Sequence, residues 1–125
     1  MYQNIALGNN ARDTFEKLIG ALGLARKAGK LIIGGERCEE YIRGGKAEIA
    51  FLCNDMSENS DKKLHAALRA KDIPYIILPM TKTELAVRFG KKSFAVACVL
   101  TDKGFARIVY KALGISESQD LHDIK

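Results

Sequence analysis

Residues 30–55, KLIIGGERCEEYIRGGKAEIAFLCND, decide the fold. Leu31 to Ile33 is a short apolar run that stops at Gly34-Gly35, and Glu36 to Arg43 then places Cys38, Tyr41 and Ile42 at helical spacing. Gly44-Gly45 closes that helix. Ile49 to Cys53 follows as five apolar residues in a row, the pattern of a strand buried on both faces, and Asn54-Asp55 restore polarity. Strand, helix and strand make a βαβ unit. Its right-handed crossover leaves the glycine turn, and the first free N–H groups of the helix, at the carboxyl end of the first strand, where open α/β sheets present ligands.

Working outward, 125 residues with 47% hydrophobic content suit one domain with one core. The net charge is +5 and the pI near 9.2, without a Lys/Arg tail or an apolar run of membrane-spanning length. The N-terminal MYQNIALGNNARD lacks the charged start and apolar core of a secretory signal, so a cytoplasmic location is expected. Cys38, Cys53 and Cys98 are odd in number, have no CxxC spacing and sit among apolar neighbours; they are expected as buried free thiols.

The remaining elements follow the same signals. Residues 1–11 read as an irregular lead-in whose Asn10 caps a first helix, with Phe15, Leu18, Ile19, Leu22 and Ala25 as its apolar stripe. Gly20 and Gly23 inside that helix suggest a close helix contact, and Arg26, Lys27 and Lys30 load its C-terminal end. A third helix spans Lys63 to Ala70 after the capping residues Ser57 to Asp61, and a strand spans Ile73 to Leu78 with Pro74 at its start. Thr81 and Glu84 form a capping box for a short helix from Thr83 to Phe89. Phe94 to Leu100 is expected as a central strand. Thr101 or Asp102 caps the last helix, whose buried stripe is Phe105, Ile108, Val109, Ala112 and Leu113. Residues 12–114 thus form a single α/β domain with a mostly parallel sheet covered on both faces, and 115–125 a loose tail.

Candidates for catalysis are few. No G-x-S-x-G, H-E-x-x-H or G-x-x-x-x-G-K-[ST] is present, and His65 and His122 lack a second ligand at metal spacing, so neither a metal nor another cofactor is expected. Asp55, directly after a buried strand, is the best carboxylate: a phosphoacceptor or metal ligand on one reading, a residue that bonds its own turn or caps the next helix on another. The glycine turn is the better site. Gly34 and Gly35 admit a close backbone and the helix start offers N–H donors, yet Glu36, Glu39 and Glu40 fill its first turns and repel phosphate. Carboxylates there accept hydrogen bonds from base amino groups, with Arg37, Arg43 and Lys46 beside them for phosphate or guanine, a mixture that suits RNA better than ATP.

Counting Lys and Arg against Asp and Glu, residues 1–30 carry +3, 31–46 zero, 47–81 −1, 82–111 +5 and 112–125 −2. The excess sits in the first helix and in the last third, where Lys103, Arg107 and Lys111 recur every four residues, a pattern shared by solvated helix faces and phosphate-binding ones. Four Tyr, five Phe and no Trp argue against a single-strand stacking platform.

The run from Leu22 to Ala106 resembles the superfamily of kink-turn-binding ribosomal proteins, the large-subunit seven-Ae and thirty-e type, and within it the small bacterial YlxQ-like members. The resemblance is carried by LGLARKAGKLIIG, by IRGGKAEIAFLCND and by IPYIILPMTKTELAVRFGK with the strand after it. It implies a three-layer α-β-α sandwich with a four-stranded mixed sheet, and a non-catalytic RNA-binding, ribosome-associated function. In that family the turn reads Gly-x-Asn-Glu-x-x-Lys; here the same places are Gly34, Glu36, Arg37 and Glu40, so an Asn and a Lys donor are replaced by carboxylates. The family's second RNA-facing loop falls on Pro79, Met80, Thr81 and Lys82, where Pro79 and Met80 would pack on an extruded base.

The expected interface is therefore the edge formed by Lys30, the turn from Gly34 and Gly35 through Glu36 and Arg37 to Glu40, Asp55, and the loop from Pro79 to Lys82. The expected partner is structured RNA, with ribosomal proteins or translation factors beside it, bound by a monomer away from membranes. Two alternatives stay open: a protein-interaction module of the translation machinery in which RNA recognition is lost, and a small phosphotransfer domain centred on Asp55.

Overall fold

The computed structural model describes residues 2–5 and 11–114. Nine elements alternate among the described residues: α1 (Ala11–Lys27), β1 (Leu31–Ile33), α2 (Gly35–Arg43), β2 (Ile49–Leu52), α3 (Glu58–Lys71), β3 (Tyr75–Ile77), α4 (Lys82–Arg88), β4 (Ala97–Leu100) and α5 (Lys103–Ala112). The strands form one sheet in the order β1-β4-β2-β3. Its core is two-sided because successive side chains of a strand point to opposite faces. Leu31, Ile33, Ile49, Phe51, Cys98 and Leu100 face a cluster built with α1, α4 and α5, whereas Ile32, Ala50, Leu52, Ala97 and Val99 face α2 and α3. That is the three-layer sandwich with a mixed sheet. Burying each large apolar side chain, Phe51 foremost, contributes roughly 1.5–3 kcal/mol before the entropy of ordering is set against it.

The expectation of a mostly parallel sheet fails at β4. β2 and β3 pair in parallel, but β4 lies between β1 and β2 and is antiparallel to both, so the βαβ unit is split by an inserted strand. The cause is the short α4. Residues 91–96 run back from its end to the edge where β1, β2 and β3 leave the sheet, as the bonds Ala95 N–H to Lys82 O and Cys53 N–H to Val96 O show. β4 therefore enters from that edge.

Element boundaries shift where a cap outweighs periodicity. α3 begins at Glu58, well before Lys63, because the Ser57 hydroxyl accepts the Ser60 N–H at 3.2 Å. The Thr81–Glu84 capping box is present with both of its bonds, and the Asp102 carboxylate caps α5. In α5 the buried face is Ala106, Val109 and Tyr110, with Ile108 47% exposed, so the expected stripe is rotated toward α1. A Cβ added at Gly20 or Gly23 would meet nothing within 4 Å, so no close helix contact explains those glycines. Phe94 stands outside β4 and is 61% exposed.

Residues 2–5 of the lead-in are more ordered than their composition suggests. Asn4 bridges in parallel to Tyr75 on the free side of β3, Ile5 is buried, and Tyr2 packs on Tyr75 while its hydroxyl meets His65 Nδ1 at 2.6 Å. His65 also approaches Asp61 at 3.2 Å, so it anchors this segment to α3. The expected Asn10 cap, His122 and the tail 115–125 lie outside the described residues.

Candidate nucleic-acid interface

Three connections meet at the edge where β1, β2 and β3 end. The first is the glycine turn. Gly34 donates its N–H to Ala97 O at 2.9 Å and occupies the N-cap position of α2 with φ 118° and ψ 143°, a backbone that side chains rarely permit. No side chain caps α2, so its first N–H groups are available to an acceptor. Gly35 is demanded by packing instead: a Cβ there would stand 2.9 Å from Val96 Cγ2. Glu36, Arg37 and Glu40 are exposed, whereas Glu39 pairs with Arg43 at 2.9 Å.

The second and third connections are tied together. Asn54 N–H donates to Met80 O at 2.8 Å, and Asp55 Oδ1 accepts the Lys82 N–H, the first amide of α4, at 2.7 Å. That bond is the main cause holding the Asp55 carboxyl below its usual pKa. Asp55 thus does not cap the next helix, α3, which Ser57 caps; it ties the end of β2 to the first turn of α4. Thr81 spends its hydroxyl on the Glu84 amide. Pro79 is exposed, but Met80 is only 6% exposed and belongs to the core with α1 and α4, so it has no surface for an extruded base. At this bend one of two adjacent apolar side chains had to turn inward, and the longer, unbranched Met80 fills the gap.

Lys30 does not join the others. Its carbonyl accepts the Thr101 N–H at 3.0 Å where β1 begins, at the opposite edge of the sheet. Sequence reasoning also missed three participants. Phe94 leans over the site with the Lys82 ammonium 4.9 Å from its ring centre, and a hollow of about 290 Å³ opens between Gly35, Glu36, Glu39, Lys63, Phe94 and Val96. The signal for Phe94 was its neighbour sequence: Lys91-Lys92-Ser93 immediately before it is polar, so the strand had no reason to begin so early. Lys63 and Val96 reach the hollow only through the packing of α3 and β4 beside α2.

Chemically, this edge offers an exposed aromatic wall, carboxylate acceptors and unshared helix N–H donors around a space that admits a flat heterocycle. It is not a general anion hole. Glu36, Glu39, Glu40 and Asp55 balance Arg37, Arg43, Lys63 and Lys82, so the edge carries no net positive charge and a ligand must supply hydrogen-bond donors as well as charge. The buried thiols lie apart from this chemistry: Cys38, Cys53 and Cys98 are all free and buried, and burial pushes Cys38 up to about 12.

Comparison with known proteins agrees with this architecture. The chain is 37% identical over 92 residues to "RNA-binding protein YlxQ" of Enterococcus faecium, covering 74% of this chain and 86% of the relative. The protein of the same name from Bacillus subtilis is 33% identical over 85 residues, covering 68% and 83%. Among solved structures, the Giardia lamblia 15.5 kDa RNA-binding protein shares the fold with a TM-score of 0.66 at 17% identity, covering 89% of this chain and 92% of that one. The sequence profile of the ribosomal protein L7Ae/L30e/S12e/Gadd45 family matches residues 16–110, and the chain belongs to that family.

Proposed function

We propose that this chain is a non-catalytic RNA-binding protein of the ribosomal type, docking structured, kink-turn-like RNA on the edge formed by the glycine turn, Asp55 and the 79–82 loop. The observation that carries this reading is the Asp55–Lys82 bond, which sets the 79–82 loop and α4 at a defined position beside the uncapped start of α2. Two rigid loops with donors, acceptors and an aromatic wall between them suit a sharply bent RNA whose bases leave the stack. The names of the YlxQ relatives support RNA as the ligand class. Ribosomal RNA is the favoured target, ribosomal proteins or translation factors are the favoured neighbours, and the working form is a cytoplasmic monomer. Asp55 commits an oxygen to a backbone amide, which gives the phosphotransfer alternative no support.

The test is a titration against a kink-turn duplex and a control with its G·A pairs disrupted, at several salt concentrations. A modestly basic binder neutralises roughly three to five phosphates and gives a log–log salt slope of about −2 to −4. Preference for the intact kink-turn is the expected result. Equal affinity for both RNAs sinks the reading, and capture of an acidic protein without RNA binding favours the interaction module.

A further inference from the structure

The charge excess at the two ends of the sequence converges in space, on the edge opposite the glycine turn. α1 packs against α5, and the end of α1, the start of β1, the turn before β2 and the start of α5 lie side by side. The register fixes this: Lys30 O accepts from Thr101 N–H at 3.0 Å, and Glu48 N–H donates to Leu100 O at 2.7 Å. Arg26, Lys27, Lys30, Lys46 and Lys103 are all exposed there, and no carboxylate among the described residues forms an ion pair with any of them. The acids nearby are Glu48, which is half-buried, and Asp102, whose carboxylate is spent on the Phe105 amide.

Part of this charge complements the C-terminal end of α1. That accounts for Arg26 and Lys27, but not for Lys30 and Lys46, which lie beyond the ends of α1 and α2, nor for Lys103, which sits in the first turn of α5, where the dipole disfavours a cation. Distance decides what the set can do. From Lys30 to Gly34 the chain spans about 13 Å of strand, beyond the Debye length of roughly 8 Å at physiological salt. These cations therefore add little to the affinity of a phosphate held at the glycine-turn edge. They act on phosphates that come to them.

We infer that the Lys27–Lys30–Lys46 edge is a second, sequence-independent contact that grips the backbone of a paired RNA segment, so that one molecule holds two parts of a folded RNA at opposite ends of its sheet. The inference rests on the reading above only for the class of partner, RNA. An edge of exposed cations, with the Tyr41 ring centre 5.9 Å from the Lys46 ammonium, suits A-form duplex, which is recognised through phosphates and shape.

The experiment uses a fully paired RNA duplex of about two turns and a kink-turn RNA, with wild type, the triple variant Lys27→Glu/Lys30→Glu/Lys46→Glu, and Gly34→Val; equal thermal melting of the triple variant and wild type certifies the fold. Wild type should bind the plain duplex weakly, and the triple variant should lose about tenfold or more of that affinity with a salt slope shallower by about 2–3. Gly34→Val should leave duplex binding unchanged. Unchanged duplex binding in the triple variant, or none by wild type, overturns the inference while a kink-turn preference still supports the first site. Duplex binding lost only in the triple variant, without any kink-turn preference, upholds the second contact and sinks the first. Polyglutamate that displaces the duplex as well as unlabelled duplex does, at equal charge concentration, overturns RNA in favour of an acidic polypeptide.

Discussion

Asp55 and Lys82, 27 positions apart in sequence, are joined by a 2.7 Å hydrogen bond from the Lys82 amide to Asp55 Oδ1. The acceptor is ionised, so the bond is charge-assisted. It connects the exit of β2 to the first turn of α4, and the Thr81–Glu84 capping box then satisfies the neighbouring amides. The loop that faces the candidate interface is held from both sides.

Replacing Asp55 by Ala should free that loop. The sign of the pH dependence follows from a folded-state pKa lowered below the ordinary 3.8. Stability from the bond is fully present above the unfolded value and is lost as pH falls through the lower folded value. Thermal melting of wild type and Asp55→Ala should therefore differ at neutral pH and converge toward pH 2, with faster amide exchange at Lys82 in the variant. A difference independent of pH contradicts the charge-assisted bond.

Gly34→Ala should cost about 1–3 kcal/mol, because φ 118° strains any side chain although a Cβ there has open space around it. Gly20→Ala is the counterpart. Gly20 is helical, exposed and equally uncrowded, so the same change there should stabilise by roughly 0.5–1 kcal/mol. Denaturant unfolding of the two variants should move in opposite directions, and a shared direction would refute the backbone argument.

On the proposed interface the carboxylates at the start of α2 are expected to decide which RNA is read. Glu39 is engaged by Arg43, whereas Glu36 and Glu40 are exposed and form no ion pair among the described residues. The double change Glu36→Asn and Glu40→Lys should raise affinity for a standard kink-turn by roughly 1–3 kcal/mol, the worth of a good base contact. It should at the same time weaken binding to an RNA that the two acids recognise by accepting hydrogen bonds from its bases, the outcome the proposed interface predicts for the natural target. Calorimetric titration of both proteins checks this; no gain on a kink-turn from the double variant removes Glu36 and Glu40 from the recognition account.

Cys38 should resist alkylation in the folded protein. Its thiol is buried, is pushed up to about 12, and donates to Ile32 O at 3.4 Å. At pH 8 fewer than about one Cys38 in a thousand is then thiolate, the reactive form. Iodoacetamide with intact-mass detection should show modification only in denaturant, and rapid native labelling of Cys38 would contradict the burial.

Local chemistry made much of this protein legible. Nine elements could be read in order from apolar period, the capping residues Thr81, Glu84 and Asp102, and the glycines that end helices, because each signal acts within a turn or two of the chain. The glycine turn was legible for the same reason, as were the three thiols in apolar runs. The signals that failed were those whose meaning depends on distant residues. Periodicity says that residues 97–100 form a buried strand, but not that they insert between β1 and β2 in the opposite direction; the return of residues 91–96 decides that. Pro79 and Met80 look alike in sequence, and only the space left by α1 and α4 turns Met80 inward. Lys30 is four residues from Gly34, yet a strand is straight, so the two stand at opposite edges of the sheet. Composition assigned charge to the ends of the chain, and the packing of α1 against α5 gathered it into one surface, because long-range contacts are chosen by shape and burial rather than by neighbours in sequence.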